Sequence, residues 1–201
     1  MEQQKEAASP IWHELVEEVD HLPVYISTPV RSCGATGCGQ FADELTVSVH
    51  WHEYVEFIWL QGGHMTAVVQ ADTYELEPGD LLIINSGELH MTRIVQRRDY
   101  CPYMLMQLSA LRMSAYFHGK EGLRFRTIIR RSELEHTPGL LQPLSAMQQL
   151  FEENGDGYQL LFRARLLEFL YVLYRQYSAT SVRLTENASA RDLNRIRDVV
   201  A

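Results

Sequence analysis

From Pro23 to about Ser109 the chain runs in short, β-branched apolar segments, and beyond that point the apolar spacing becomes helical. The short runs cover 24–30, 45–52, 55–60, 65–70, 73–76, 81–84, 90–95 and 103–108. Gly62-Gly63, Ala71-Asp72, Pro78-Gly79-Asp80 and Asn85-Ser86-Gly87 punctuate them. Many short strands with regular turns predict a mainly β barrel or sandwich. Ahead of it, 1–9 reads as disordered, and 10–20 as a short amphipathic helix carrying Ile11, Leu15, Val16 and Val19. After it come a short helix over 111–118, a last strand over 124–129, and helices over 138–153 and 158–177. Asn154-Gly155-Asp156-Gly157 between the last two predicts an antiparallel helical pair.

The final helix has apolar residues around most of its circumference, so it needs two partners. One partner is the barrel with the preceding helix. The other reading is a homodimer, with Leu161, Leu166, Phe169 and Leu173 as interface residues. Residues 178–190 are small and polar, as in a linker, and 191–201 open a new amphipathic pattern with Leu193, Ile196, Val199 and Val200. That order predicts a longer protein cut just after its linker.

Composition narrows the function classes. Of 201 residues 46% are apolar, enough for a sizeable core, and the formal net charge is −8. A surface of that sign repels phosphate backbones, so this chain is a poor DNA binder by itself. No apolar run is long enough to span a bilayer, and the acidic N-terminus lacks a signal-peptide core. Three Cys do not make a disulfide framework. Cys33 and Cys38 flank a loop and read as reduced thiols, with a redox or metal pair as the alternative. The expected compartment is the cytoplasm.

The chemistry concentrates in His50-Trp51-His52-Glu53-Tyr54-Val55-Glu56. Alternate strand residues share a face, so His50 and His52 point together, and Glu56 joins them if the strand is uninterrupted. An apolar strand and the Asn85-Ser86-Gly87 turn then deliver His90. Three imidazoles and a carboxylate suit divalent zinc, iron, nickel, manganese or copper. The same groups also suit a polar pocket that hydrogen-bonds an organic effector through His50 and His90. Trp59 and Tyr74 are candidate stacking planes for that effector. Trp51, Tyr54 and Phe57 alternate with the tetrad and predict packing between barrel and helices. Glu53 has the wrong parity for the tetrad and reads as surface. His64 follows Gly62-Gly63 and reads as a rim residue. His13, His21, His118 and His136 read as surface, as do the pairs Arg97-Arg98 and Arg130-Arg131.

These residues resemble the two motifs of the cupin superfamily. His50, His52, Glu56 and Gly63 match the first, and Gly79, Gly87 and His90 the second. Glu44 replaces a usual Gly, Asn85 a usual Pro and Ile94 a usual Asn, so the departures fall outside the ligand positions. The wording HWHEYVEFIWLQGG and YELEPGDLLIINSGELH is similar to the N-terminal domain of AraC-type transcriptional regulators. The resemblance implies a cupin-type double-stranded β-helix over 23–135, behind an N-terminal arm at 1–22. It further implies a helical dimerisation segment at 136–177, a linker at 178–190 and the start of a helix-turn-helix domain at 191–201. The implied function is sensing of a small molecule such as a sugar, with DNA bound only by a part absent from this chain. A stand-alone metal-dependent dioxygenase or isomerase is the alternative, and a ligand-free dimerisation module a third reading.

Overall fold

The computed structural model describes residues 12–14, 22–27, 44–95, 103–118, 120 and 122–179. The expected loop with Cys33 and Cys38, His21, the Arg97-Arg98 pair and the segments 1–9 and 191–201 lie outside the described residues.

Two five-stranded sheets face each other. The first contains β1 (Trp12–His13), β3 (Glu44–Trp51), β8 (His90–Val95), β5 (His64–Val69) and β6 (Asp72–Leu76), in that order. The second runs β11 (Ile128–Ile129), β7 (Leu81–Ile84), β4 (Tyr54–Leu60), β9 (Tyr103–Ser109) and β2 (Tyr25–Ser27). All pairings are antiparallel except that of β1 with β3. This is the mainly β barrel that the punctuated pattern predicts, in the jelly-roll form that the cupin resemblance implies.

Alternation divides each strand between two cores. Ile58, Leu60, Met65, Ala67, Val69, Leu76, Leu82, Ile84 and Ile94 fill the space between the sheets. Val55, Phe57, Leu81, Ile83, Met104, Met106 and Leu108 point the other way, from the outer face of the second sheet. Helices cover that face, so β4 and β7 are buried on both sides and read as nearly continuous apolar runs, broken in β4 by Glu56. Those helices are α1 (Ala110–Tyr116), α2 (Arg131–His136), α3 (Leu141–Glu153) and α4 (Tyr158–Tyr177). Phe57 meets Phe169 of α4 edge-on at 5.4 Å. Among the described residues, no helix is long and apolar enough to cross a membrane.

Several expectations change. Trp12 and His13, inside the predicted helix at 10–20, form a strand parallel to His50 and Trp51. Pairing satisfies the open edge of β3 and overrides the local helical spacing. The single strand expected over 124–129 is two short ones, because β10 (Arg124–Phe125) pairs with β12 (Ser178–Ala179) and β11 with β7. The first two residues of the expected linker therefore belong to a sheet. The helix expected over 138–153 starts later, and α2 precedes it. Thr137, before Pro138, is extended (φ −99°, ψ 100°), as the proline ring demands, and this ends α2.

The final helix uses its first apolar stripe internally. Leu166, Phe169 and Leu173 are fully buried against the chain's own sheet and helices, which corrects their assignment to a dimer interface. Leu161 remains 47% exposed, beside Leu160, Leu167 and Tyr171.

Arg130 and Arg131 are exposed, as expected, and both engage Asp80. Asp80, 3% exposed, accepts from Arg130 Nη1 at 2.7 Å and from the Arg131 backbone N–H at 2.8 Å. This clasp joins α2 to the turn ending β6. Gly79 in that turn has φ +100°, and a Cβ there would lie 2.7 Å from the Arg131 side chain, so the position requires glycine.

Candidate metal and ligand site

Two cross-strand pairs gather the polar residues of the interior at one end. His50 stands opposite His90 in the first sheet, and Glu56 opposite Gln107 in the second. Val47 pairs with Thr92 and His50 with His90, so β3 carries an extra residue over that stretch. Such a bulge re-aims the side chains beyond it, here turning His50 inward. β3 ends at Trp51 and β4 begins at Tyr54, so the chain crosses between sheets at His52-Glu53. The crossing, rather than parity along one strand, brings Glu56 to the histidines.

His50, His52, Glu56 and His90 are all buried. The imidazole centroids lie 4.1 Å (His50–His90), 4.9 Å (His52–His90) and 5.8 Å (His50–His52) apart. Ring nitrogens of all three lie within 4.8 Å of one another. His52 Nε2 is 3.1 Å from Glu56 Oε2.

Each Nδ1 faces a backbone carbonyl. His50 Nδ1 donates to Ser48 O at 2.8 Å, His52 Nδ1 to Tyr54 O at 3.2 Å and His90 Nδ1 to Glu88 O at 2.8 Å. A carbonyl only accepts, so Nδ1 holds the proton and the lone pair of the neutral ring sits on Nε2. His90 Nε2 is buried without a hydrogen-bond partner. An orphaned buried nitrogen is costly, and a metal ion or a ligand donor would satisfy it. The donor set therefore fits a divalent transition metal.

Burial pushes His90 down to about 4 against the pull of the Glu56 charge, so it is neutral near pH 7. Burial also opposes charge on Glu56. The bond from His52, the neighbouring imidazoles and the bond from Gln107 outweigh it and hold the carboxyl below its ordinary value. On His52, burial is outweighed by Glu56, and the imidazole is raised.

Sequence reasoning missed two polar neighbours. Gln107 Nε2 donates to Glu56 Oε2 at 2.6 Å and to Glu14 Oε2 at 3.1 Å. The only signal for Gln107 is one amide within the apolar run 103–108. Glu14 lies in the segment read as a helix. A third group holds the turn before His90. Asn85, where cupins usually have Pro, accepts from Phe125 N at 2.6 Å and donates to Phe125 O at 3.0 Å. Its side chain also donates to Glu88, which pairs with Arg124.

The remaining candidates separate. Tyr74 packs on the interior cluster, opposite Ala67 of β5, which itself faces Thr92 of β8. Trp59 lies on the other face of β4, packed on the outer core, and lines a surface groove with Gln61, Pro78, Arg131, Leu134 and Leu141. The structure does not bring it to the histidines. Glu53 is exposed, and His64 sits at the rim, 2.8 Å from Glu75. His118 and His136 are exposed.

Comparison with known proteins places this geometry in a family. The model of the AraC-like ligand binding domain matches residues 36–170. The uncharacterized HTH-type transcriptional regulator YdeC of Bacillus subtilis (strain 168) is 32% identical over 121 residues, 57% of this chain and 41% of that protein. The chain thus matches about two fifths of that relative's length. Among solved structures, the AraC-like transcriptional activator CuxR covers 73% of this chain and 51% of its own, at 10% identity and TM-score 0.41. Salicylate 1,2-dioxygenase from Pseudoaminobacter salicylatoxidans covers 66% of this chain and 43% of its own, at 14% identity and TM-score 0.37. With a family model spanning well over half of its residues, the chain belongs to the AraC-like ligand binding domains.

Proposed function

We propose that this domain senses a small molecule at the polar end of its barrel, with a divalent transition metal (zinc, nickel, iron or manganese) as part of the site. His50, His52, His90 and Glu56 would hold the metal. The observation that carries the reading is three buried imidazoles with Nδ1 tied to carbonyls, one of them with Nε2 unsatisfied. A bound metal would supply a Lewis-acidic centre for an oxygen-rich effector such as a sugar or related metabolite. His50 and His90 line that end, and Tyr74 is the aromatic on the interior side that would stack on the effector.

The domain acts as a sensor rather than an enzyme. Glu56 is engaged by His52 and Gln107 and does not stand free as a general base. An effector that binds one arrangement of the domain more tightly shifts its population. The response would reach a DNA-binding part of the protein beyond this chain, of the helix-turn-helix kind for which the Bacillus relative is named. The net charge of −8 supports that division of labour. The protein would work in the cytoplasm as a homodimer, with α4 contributing Leu161 and its exposed neighbours Leu160, Leu167 and Tyr171.

Scanning calorimetry with zinc, nickel, iron(II) or manganese, each with and without a panel of sugars and small acids, tests the reading. A ligand at 100 times its Kd stabilises the fold by about 2.7 kcal/mol. That gain is expected in the wild type and absent in a His50→Ala/His90→Ala variant. No stabilisation by any metal or panel member would refute the proposal. Sedimentation of Leu167→Glu tests the dimer, which this variant is expected to dissociate.

A further inference from the structure

Glu14 reaches the site from outside both cupin motifs. Its backbone N–H donates to Trp51 O at 3.0 Å, extending the pairing of β1 with β3. Its carboxylate then lies over the histidines: Oε2 is 3.8 Å from His50 Nε2 and accepts from Gln107 Nε2 at 3.1 Å. The carboxylates of Glu14 and Glu56 and a ring nitrogen of His52 lie within 4.8 Å of one another. Glu14 is only 30% exposed.

Charge balance gives this arrangement a meaning. Two carboxylates this close, in a largely buried site, repel each other. Gln107 donates to both from one nitrogen, but it carries no net charge. His52 belongs both to the histidine trio and to the set with Glu14 and Glu56, so a dipositive ion beside it would balance both carboxylates. Three nitrogens and one carboxylate account for the sequence motif, whereas the charge count calls for the second carboxylate as well.

We propose that Glu14 is a further ligand of the metal site, delivered by the N-terminal strand β1, so that metal loading ties β1 to β3. This inference rests on the metal reading above and adds a residue that neither motif contains. It also explains why Gln107 bridges the two carboxylates: its amide fixes both in position before the ion arrives, which lowers the reorganisation needed on binding.

The test is zinc titration calorimetry combined with hydrogen exchange on the wild type, Glu14→Gln and Glu14→Ala. Gln keeps the size and polarity of Glu14, so a loss shared by both variants reports on the ligand rather than on folding. Zinc is expected to slow exchange of the peptide containing residues 12–14 in the wild type. Both variants should bind zinc roughly 10–100-fold more weakly, with no zinc-dependent slowing in that peptide. Unchanged zinc affinity, or equal protection of 12–14 in the variants, would overturn the role of Glu14 and leave the four-residue metal site standing. No zinc binding by the wild type would overturn both.

Discussion

The two ends of the barrel interior are built by the same strands and bury opposite kinds of surface. At one end the facing pairs are His50 with His90 and Glu56 with Gln107. At the other they are Met65 with Ile94, Met65 with Leu76 and Leu60 with Tyr103. Along β8 the inward residues grade from His90 through Thr92 to Ile94, and along β4 from Glu56 through Ile58 to Leu60. The apolar end is stabilised by close packing and loss of water contact. The polar end buries ionisable groups, which costs stability unless each finds a partner. An end that retains such groups beside a well-packed one is organised for binding.

Substitutions at the two ends should separate stability from binding. The largest stability loss belongs to the apolar end. Leu60→Ala, at a fully buried position, should cost about 2–5 kcal/mol by denaturant unfolding while zinc affinity stays intact. At the polar end, His90→Leu removes the orphaned nitrogen. It should leave the metal-free protein within about 1 kcal/mol of wild type, or more stable, and abolish stabilisation by metal. If the two substitutions exchanged these effects, the division between the ends would be wrong.

Acid should affect the polar end next. An unfolded His90 takes up a proton near its ordinary value of 6.5, whereas the folded one does so only at about 4. The unfolded chain therefore binds more protons between those values, and stability falls as the pH drops through that window. His90→Leu should remove this part of the slope in metal-free protein, as followed by thermal melts from pH 7 to 4. The smallest effect is expected at the rim. His64 pairs with Glu75 at 2.8 Å, but both are well exposed, so His64→Ala should change stability by no more than about 0.5 kcal/mol.

The strands were legible because short apolar or alternating runs are separated by turn residues. Leu81–Ile84 and His90–Val95 appear with the expected bounds. His50, His52 and His90 were legible because histidine on a strand beside a tight turn stands out from an apolar background. Other features depend on partners that no local pattern names. Trp12 and His13 are strand because β3 offers an edge, and helical spacing carries no trace of that edge. Both stripes of α4 are apolar, so the pattern alone does not decide which faces the chain's own barrel. The structure gives Leu166, Phe169 and Leu173 to the core and leaves Leu167 outside. β4 is buried on both faces, so periodicity does not separate an interior aromatic from an outer one, and Trp59 falls on the outside. Gln107 and Glu14 gain meaning only from the carboxylate they approach across the fold.

On the proposed function, the polar end holds a metal. Elemental analysis of tag-free wild type beside the His50→Ala/His90→Ala variant decides this. A stoichiometric transition metal in the wild type, lost in the variant, is the expected result. No bound metal in the wild type, even after incubation with zinc, iron, nickel and manganese, would contradict the claim and leave a purely organic pocket.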